Sequence, residues 1–418
     1  LRSTSKNSLK ESLKQSFNQC RQGTLKFFEN IDDVTFRAQP HPDFSPIGWH
    51  LGHIAYTEAY WLLEKCAGFA PLFPEYDQLF NANGLPKAER VNLPPLEVIY
   101  HYLATVRSQV NQYLENAPLE KQQRLWKFLL QHESQHSETI VFVLQLQKLI
   151  TRNQSTHPHP NLTPPISELS PSPTMIQIPA GEFTMGSNAI DALDNEKPAH
   201  QHYLDTYSIG RYPVTCGQYR EFIQAQGYQN PQWWSTQGWQ WLQQKPVNQP
   251  LYWSNESIYN HHPVCGVSWY EAQAYCNFVG QRLPTEAEWE KAASWNSSTQ
   301  TQHFYPWGEA EPSPELSNCD QVQLCTTPVN FYPDSVSPYG LYDTLGNVWE
   351  WTASWFNRYE GFQPYPYTGY SQIYFDGQHQ VLKGGSCGTR SWAMRSSFRN
   401  WYHPHVRQIF AGFRCASN

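Results

Sequence analysis

Between residues 151 and 174 the sequence TRNQSTHPHPNLTPPISELSPSPT carries six prolines and neither a helical nor a strand period. Proline fixes φ and lacks a backbone N–H, so such a stretch is excluded from helix interiors and central strands. It reads as an extended, semi-rigid linker. The residues on its two sides are therefore expected to fold as separate bodies, 1–150 and 175–418, in keeping with ordinary domain sizes.

The first body has a helical period. Segment 96–116 places Leu96, Ile99, Tyr102, Leu103, Val106, Val110, Tyr113 and Leu114 on one face, and segment 121–150 does the same with Leu125, Phe128, Leu129, His132, His136, Ile140, Val143 and Leu144. Two earlier helical stretches, about 6–29 and 46–66, make four. Four amphipathic helices predict an antiparallel bundle, whose interior is a common home for metal sites. The second body shows short apolar runs broken by Gly, Pro, Asn and aromatic residues. Two helices stand out: Trp269 to Val279, and TEAEWEKAA, opened by a capping box of Thr285 and Glu288. The rest predicts an irregular α+β domain.

Charged residues make up 16% and the net charge is −7, which gives no electrostatic reason to expect nucleic acid. No apolar run is long enough to span a membrane. Leu1 to Gln15 is polar and has no signal-peptide core, so a cytoplasmic protein is expected. The nine cysteines form no C-x-x-C pair and read as free thiols, mostly buried.

His132 and His136 stand at i and i+4 in the strongest helix, a spacing that puts both imidazoles on one face. The word HESQH also matches the zinc-protease pattern HExxH, which would make Glu133 a general base. That pattern normally takes its third ligand from downstream, where only His157, His159 and the proline-rich stretch are found. Upstream, WHLGHIAYTEAYWL offers His50 and His53, and a bundle can bring that helix beside the other. Spacing alone does not choose between these two. Three imidazoles on one side of an ion leave open positions; zinc would then activate water and iron would act on O2.

The second body contains PAGEFTMGS (179–187), YPVTCGQYREF (212–222), GVSWYEAQAYCNFVGQRLPTEAEWEKAA (266–293), YPWGE (305–309), SPYGLYDTLGNVWEWT (337–352), VLKGGSC (381–387) and AGFRC (411–415). Together these resemble the formylglycine-generating-enzyme (sulfatase-modifying factor) fold, of the C-type-lectin-like kind. WHLGHIAYTEAYWL and HESQHSET resemble a DinB-type four-helix bundle. In this order, over essentially the whole chain, the two resemble the ergothioneine sulfoxide synthases of the EgtB type.

The resemblance implies an oxidoreductase with non-heme Fe(II) that uses O2 to join a thiol sulfur to an imidazole carbon. The acceptor is hercynine, the Nα-trimethylated betaine of histidine, and the donor cysteine or γ-glutamylcysteine. It carries the iron ligands onto His53, His132 and His136. Asn400 and Trp401 match the betaine-binding pair, and Tyr367 and Tyr370 match a Tyr-x-x-Tyr pair. In that pair Tyr367 is the implied proton donor and Tyr370 helps enclose the ammonium. Gln135 is implied to reach the substrate's carboxylate or imidazole. A quaternary ammonium has no N–H to donate and is best held by aromatic faces.

Two departures bear on the thiol. Better-known members read Asn-Trp-Asp where this chain reads Asn400-Trp401-Tyr402, and the missing carboxylate shifts the expectation toward plain cysteine. Paired tyrosines that some relatives carry after LFN are replaced by Ala82 and Asn83. Lys87 and Arg90, in YDQLFNANGLPKAER, are the cations expected for the thiol's carboxylate. A formylglycine-generating enzyme would need a second cysteine near Cys387, and GTRSWAMRSSFRN supplies none. The rival readings are an ovothiol- or selenoneine-type synthase, a zinc-dependent DinB-type thiol transferase or hydrolase, and a sugar- or peptide-binding module.

Overall fold

The computed structural model describes residues 2–152 and 174–418. Contacts divide the chain into two compact units, Leu1–Gln154 and Ser155–Asn418. Apart from residues 151, 152 and 174, the expected linker lies outside the described residues.

The first unit is helical: α1 (Arg2–Leu25), α2 (Asp33–Arg37), α3 (Ile47–Glu58), α4 (Asp77–Phe80), α5 (Leu96–Leu114) and α6 (Leu119–Arg152). Helix α3 continues as a π-helical stretch over Ala59–Cys66. The periodic apolar face of α5 is buried at Ile99, Tyr102, Leu103, Val106 and Val110, and that of α6 at Leu125, Phe128, Leu129, Ile140 and Val143. Helix α3 packs on both α5 and α6, and α1 packs on α6. The interior also holds charge. Arg21 of α1, Glu58 of α3, Arg107 of α5 and Glu133 of α6 form one ion-paired group, with Arg21–Glu58 and Arg107–Glu58 at 2.7 Å and Arg21–Glu133 at 2.8 Å. Two cations balance two carboxylates, so the group is neutral as a whole. Each long helix contributes one member, which fixes the helices relative to one another.

The second unit has short strands and long loops. Strands β1 (Met175–Ile178), β2 (Gly181–Met185), β3 (His200–Leu204) and β4 (Tyr207–Gly210) precede helices α7 (Cys216–Gln224), α8 (Thr236–Gln244), α9 (Trp269–Phe278) and α10 (Glu286–Ser294). Then come β5 (Trp295–Asn296), β6 (Thr301–Gln302), β7 (Trp349–Trp355), β8 (Gln380–Lys383), β9 (Asn400–Tyr402), β10 (Ala411–Gly412) and β11 (Ala416–Ser417). One sheet runs β1-β4-β11 and another β10-β7-β8-β9, while β2–β3 and β5–β6 pair separately. The last strand therefore closes on the first sheet and ties the two ends of the unit together. The capping box at α10 forms as expected: Thr285 Oγ1 accepts from Glu288 N–H, and the Glu288 carboxylate accepts from Thr285 N–H.

Loops this long are held by buried ion pairs. Lys383–Glu290 at 2.9 Å, Arg414–Glu350 at 2.6 Å and Arg399–Glu286 at 2.6 Å are sealed from solvent, as is Arg395–Glu196. A buried guanidinium that also donates to backbone carbonyls satisfies loop polar groups that no strand reaches. Arg414 does this at Gly210, Arg211 and Tyr342, and Arg399 at Asn195 and Asn357. None of the nine cysteines is in a disulfide. Among the described residues no helix is long and apolar enough to cross a membrane.

Candidate metal centre

His53 projects from α3, and His132 and His136 from α6. One ring nitrogen from each lies within 4.8 Å of the others. His132 Nε2 and His136 Nε2 are 3.2 Å apart, and the His53 ring centroid is 5.1 Å from His132 and 4.7 Å from His136. Nitrogens about 2.0–2.1 Å from a common ion stand about 3 Å from one another. The α6 pair already has that separation.

A ligand imidazole needs its second nitrogen engaged, which fixes both tautomer and ring plane. His53 Nδ1–H donates to the Phe80 carbonyl at 2.6 Å, which leaves Nε2 as the atom that could meet an ion. The sequence allows this through Gly52. A Cβ there would stand 2.2 Å from the Phe80 ring, so only glycine lets Phe80 lie directly on α3. The same end of α4 also takes Trp49 Nε1–H on the Leu79 carbonyl at 2.7 Å. Trp49, one turn before His53, stacks on it with centroids 4.6 Å apart and planes 11° apart. On the His136 side, His50 Nδ1 lies 2.9 Å from His136 Nδ1.

Burial is the first cause that depresses all four imidazoles. His53 is brought down to about 4, and His50, His132 and His136 fall well below the ordinary histidine range, with the neighbouring histidines adding to the effect. The rings are therefore neutral near pH 7, the form a metal needs. Three neutral nitrogen donors with free lone pairs at that spacing fit a divalent transition metal.

Glu133 is not free to act as a base beside this cluster. Its Oε1 accepts from Arg21 at 2.8 Å, and its Oε2 accepts from Arg21 at 3.2 Å and from Arg107 at 3.3 Å. Gln135, half-buried, lies one turn beyond His132 and next to His136. Of the two cations expected for a carboxylate, Lys87 donates to the Asp43 carbonyl at 2.6 Å. Arg90 is buried, donates to Leu85 O, Ser45 Oγ and Ala82 O, and lies 4.0 Å over the Trp49 ring. Its cation thus backs the ring that stacks on His53.

In the second unit the structure gathers Tyr367, Tyr370 and Trp401. Trp401 stacks on Phe356 at 4.3 Å and meets Tyr370 edge-on at 6.1 Å; Tyr370 and Tyr367 are 6.5 Å apart. Tyr374 also approaches Trp401, at 5.5 Å, and sequence reasoning missed it. The loop carrying the tyrosines is anchored by Asp194, whose Oδ1 accepts from Ser371 Oγ at 2.5 Å and whose Oδ2 accepts from Tyr365 N–H at 3.1 Å. Gly369 makes room in it: a Cβ there would stand 2.9 Å from the Tyr367 ring. Burial, with the charges of Tyr374 and Asp194, pushes the Tyr367 hydroxyl up to about 12, so it keeps its proton. Asn400 Oδ1 accepts from Trp401 N–H at 2.9 Å, which leaves its amide nitrogen to donate elsewhere. Tyr402 is half-buried on the same strand.

Comparison with known proteins accounts for both units. Residues 162–418 match the sulfatase-modifying factor enzyme 1-like domain, and residues 16–140 match the DinB superfamily. The chain is 37% identical to the hercynine oxygenase of Mycolicibacterium smegmatis, across 97% of this chain and 99% of that protein. It is also 37% identical to the hercynine oxygenase of Mycobacterium tuberculosis, across 95% of this chain and 96% of that one. Among solved structures it is similar to PvdO from Pseudomonas aeruginosa at 22% identity, with a TM-score of 0.43 over 60% of this chain and 96% of that one. With both domain types matched, and relatives aligned along nearly its full length, the chain belongs to the hercynine oxygenase family.

Proposed function

We propose that this chain is an iron(II)-dependent sulfoxide synthase that uses O2 to join hercynine to cysteine or γ-glutamylcysteine, as in ergothioneine biosynthesis. The observation that carries this reading is the three-imidazole cluster of His53, His132 and His136 in a member of the hercynine oxygenase family. The overall change balances as one imidazole C–H, one thiol S–H and one O2 giving a C–S bond, one S=O and one water. Four electrons leave the two substrates and O2 receives them. Bound at the three imidazoles, Fe(II) supplies the means of reducing O2 beside a thiolate.

The remaining work belongs to the chain. Tyr367 holds a proton on its phenol at working pH and delivers it to developing negative charge on oxygen. The faces of Trp401 and Tyr370 hold the trimethylammonium, each desolvated contact adding about 2 kcal/mol. The free amide nitrogen of Asn400 donates to the betaine carboxylate, and Gln135 orients the imidazole. Lys87 and Arg90 take the thiol's carboxylate. Tyr402 offers a phenol where a carboxylate would grip a γ-glutamyl ammonium, which makes cysteine the favoured donor.

The test is a matrix of thiols and imidazoles incubated with Fe(II) and O2 and read by mass spectrometry. Hercynine with cysteine is expected to give the sulfoxide in highest yield. Turnover with histidine or with a selenol instead of hercynine and a thiol would redirect the reading to an ovothiol- or selenoneine-type enzyme. Activity with zinc in place of iron would replace it with a zinc transferase or hydrolase.

A further inference from the structure

We infer that His50 is a positioning residue for the metal centre, whose Nδ1 accepts the Nδ1–H of His136 and thereby frees His136 Nε2 to act as a ligand. The inference rests on the metal reading above and deepens it. Two unprotonated nitrogens 2.9 Å apart would repel, so one proton lies between His50 Nδ1 and His136 Nδ1. A neutral imidazole carries a single N–H. His136 Nε2 is the atom that faces His132, so its lone pair must stay open for an ion. The proton is then on His136 Nδ1, and His50 is the acceptor.

The same assignment puts the proton of His50 on its buried Nε2, which makes no well-aligned hydrogen bond, the backbone of Ser45 being the other polar group that the ring meets. A hydrocarbon side chain of similar size would fill this space without leaving a polar atom unpaired. The short bond to His136 is thus the well-formed polar contact that an imidazole makes here. His50 lies one turn before His53 on α3, so one helix supplies a ligand and also the acceptor that orients a ligand of α6. His53 and His136 are thus both held through Nδ1, one by the Phe80 carbonyl and the other by His50. Both acceptors are neutral, so neither ligand ring is pushed toward an imidazolate.

His50→Leu removes the acceptor and keeps the volume, while His50→Asn places an amide oxygen close to where Nδ1 stood. Full-length metal-free protein would be titrated anaerobically with Fe(II), and with Co(II) read by its visible spectrum; thermal melting of the metal-free form checks folding. The Leu variant should bind both metals about 10- to 100-fold more weakly. The Asn variant should recover most of that loss together with the parent Co(II) spectrum. A folded Leu variant that binds as tightly as the parent overturns the inference, as does an Asn variant as weak as the Leu one. Where the Leu variant does not fold, the Asn variant decides: parent-like affinity and spectrum support the role, and a loss of about tenfold or more overturns it. A parent chain that binds neither metal overturns the metal reading itself, and this inference with it.

Discussion

Arg21 grips Glu133 through two hydrogen bonds, Nε to Oε1 at 2.8 Å and Nη2 to Oε2 at 3.2 Å, inside the helical bundle. In the word HESQH this glutamate occupies the place of a metalloprotease base. Here it belongs to a charge-balanced group that joins all four long helices. Removing one member leaves an uncompensated guanidinium away from water. Glu133→Gln should therefore lower unfolding free energy by about 3–5 kcal/mol, measured by chemical denaturation of the metal-free protein. Unchanged stability would mean that Glu133 is free for another task.

Gly52 and Phe80 make a second, sterically defined prediction. A methyl group at residue 52 would overlap the Phe80 ring and push it off α3, and with it the carbonyl that orients His53. Gly52→Ala should cost about 1–3 kcal/mol of stability through overpacking. It should also weaken Fe(II) binding about tenfold or more through the lost orienting bond. Parent-like affinity in anaerobic titration would separate Phe80 from the metal centre.

Tyr367 keeps its proton because burial raises its hydroxyl to about 12. Tyr367→Phe leaves the ring and removes the proton. Loss of a positioned acid lowers the step it serves by about 100-fold or more, so O2 consumption should shift from sulfoxide toward oxidation of the thiol alone. The ratio of the two products, quantified by mass spectrometry, reads this directly. An unchanged ratio would remove Tyr367 from the chemistry.

The helical unit was legible because its apolar residues recur at the period of a helix. The buried faces of α5 and α6 carry most of the residues that the periodicity named, and the i, i+4 spacing of His132 and His136 survives as a 3.2 Å approach. What surrounds those rings was not legible. The Phe80 carbonyl belongs to the backbone and has no sequence signature, and the His50–His136 bond joins residues 86 apart in the chain. Arg90 reads in sequence as a cation for a carboxylate, but its place over the Trp49 ring has no sequence signature. In the second unit the strands span two to seven residues, too short to show a period. Its interior is organised by buried pairs such as Lys383–Glu290 and Arg414–Glu350, whose charges resemble surface residues when read in sequence. The capping box at Thr285 was legible, since it depends on four consecutive residues alone.

Asp343 makes the second unit's stability depend on pH. Burial, reinforced by the charge of Glu350 and opposed by Arg414 and Asn347, raises its carboxyl to about 7 from an ordinary 3.8. The folded chain thus binds a proton there that the unfolded chain has already released. The stabilising contribution is full below the unfolded value and is lost as pH rises toward 7. Across that window the contribution changes by about 1.4 kcal/mol per pH unit. Asp343→Asn cannot ionise, so its stability relative to the parent should rise between about pH 5 and about pH 7. Parallel denaturation curves at both values would show whether the gap changes, and a constant gap would contradict the shift.

The most direct measurement of the central claim is oxygen-18 tracing with the Fe(II)-loaded chain, hercynine and cysteine under labelled O2. The account predicts a C–S-linked sulfoxide carrying one labelled oxygen, with the second label in water, and no product from His136→Ala. A product without label, or equal turnover by the chain lacking His136, would contradict it.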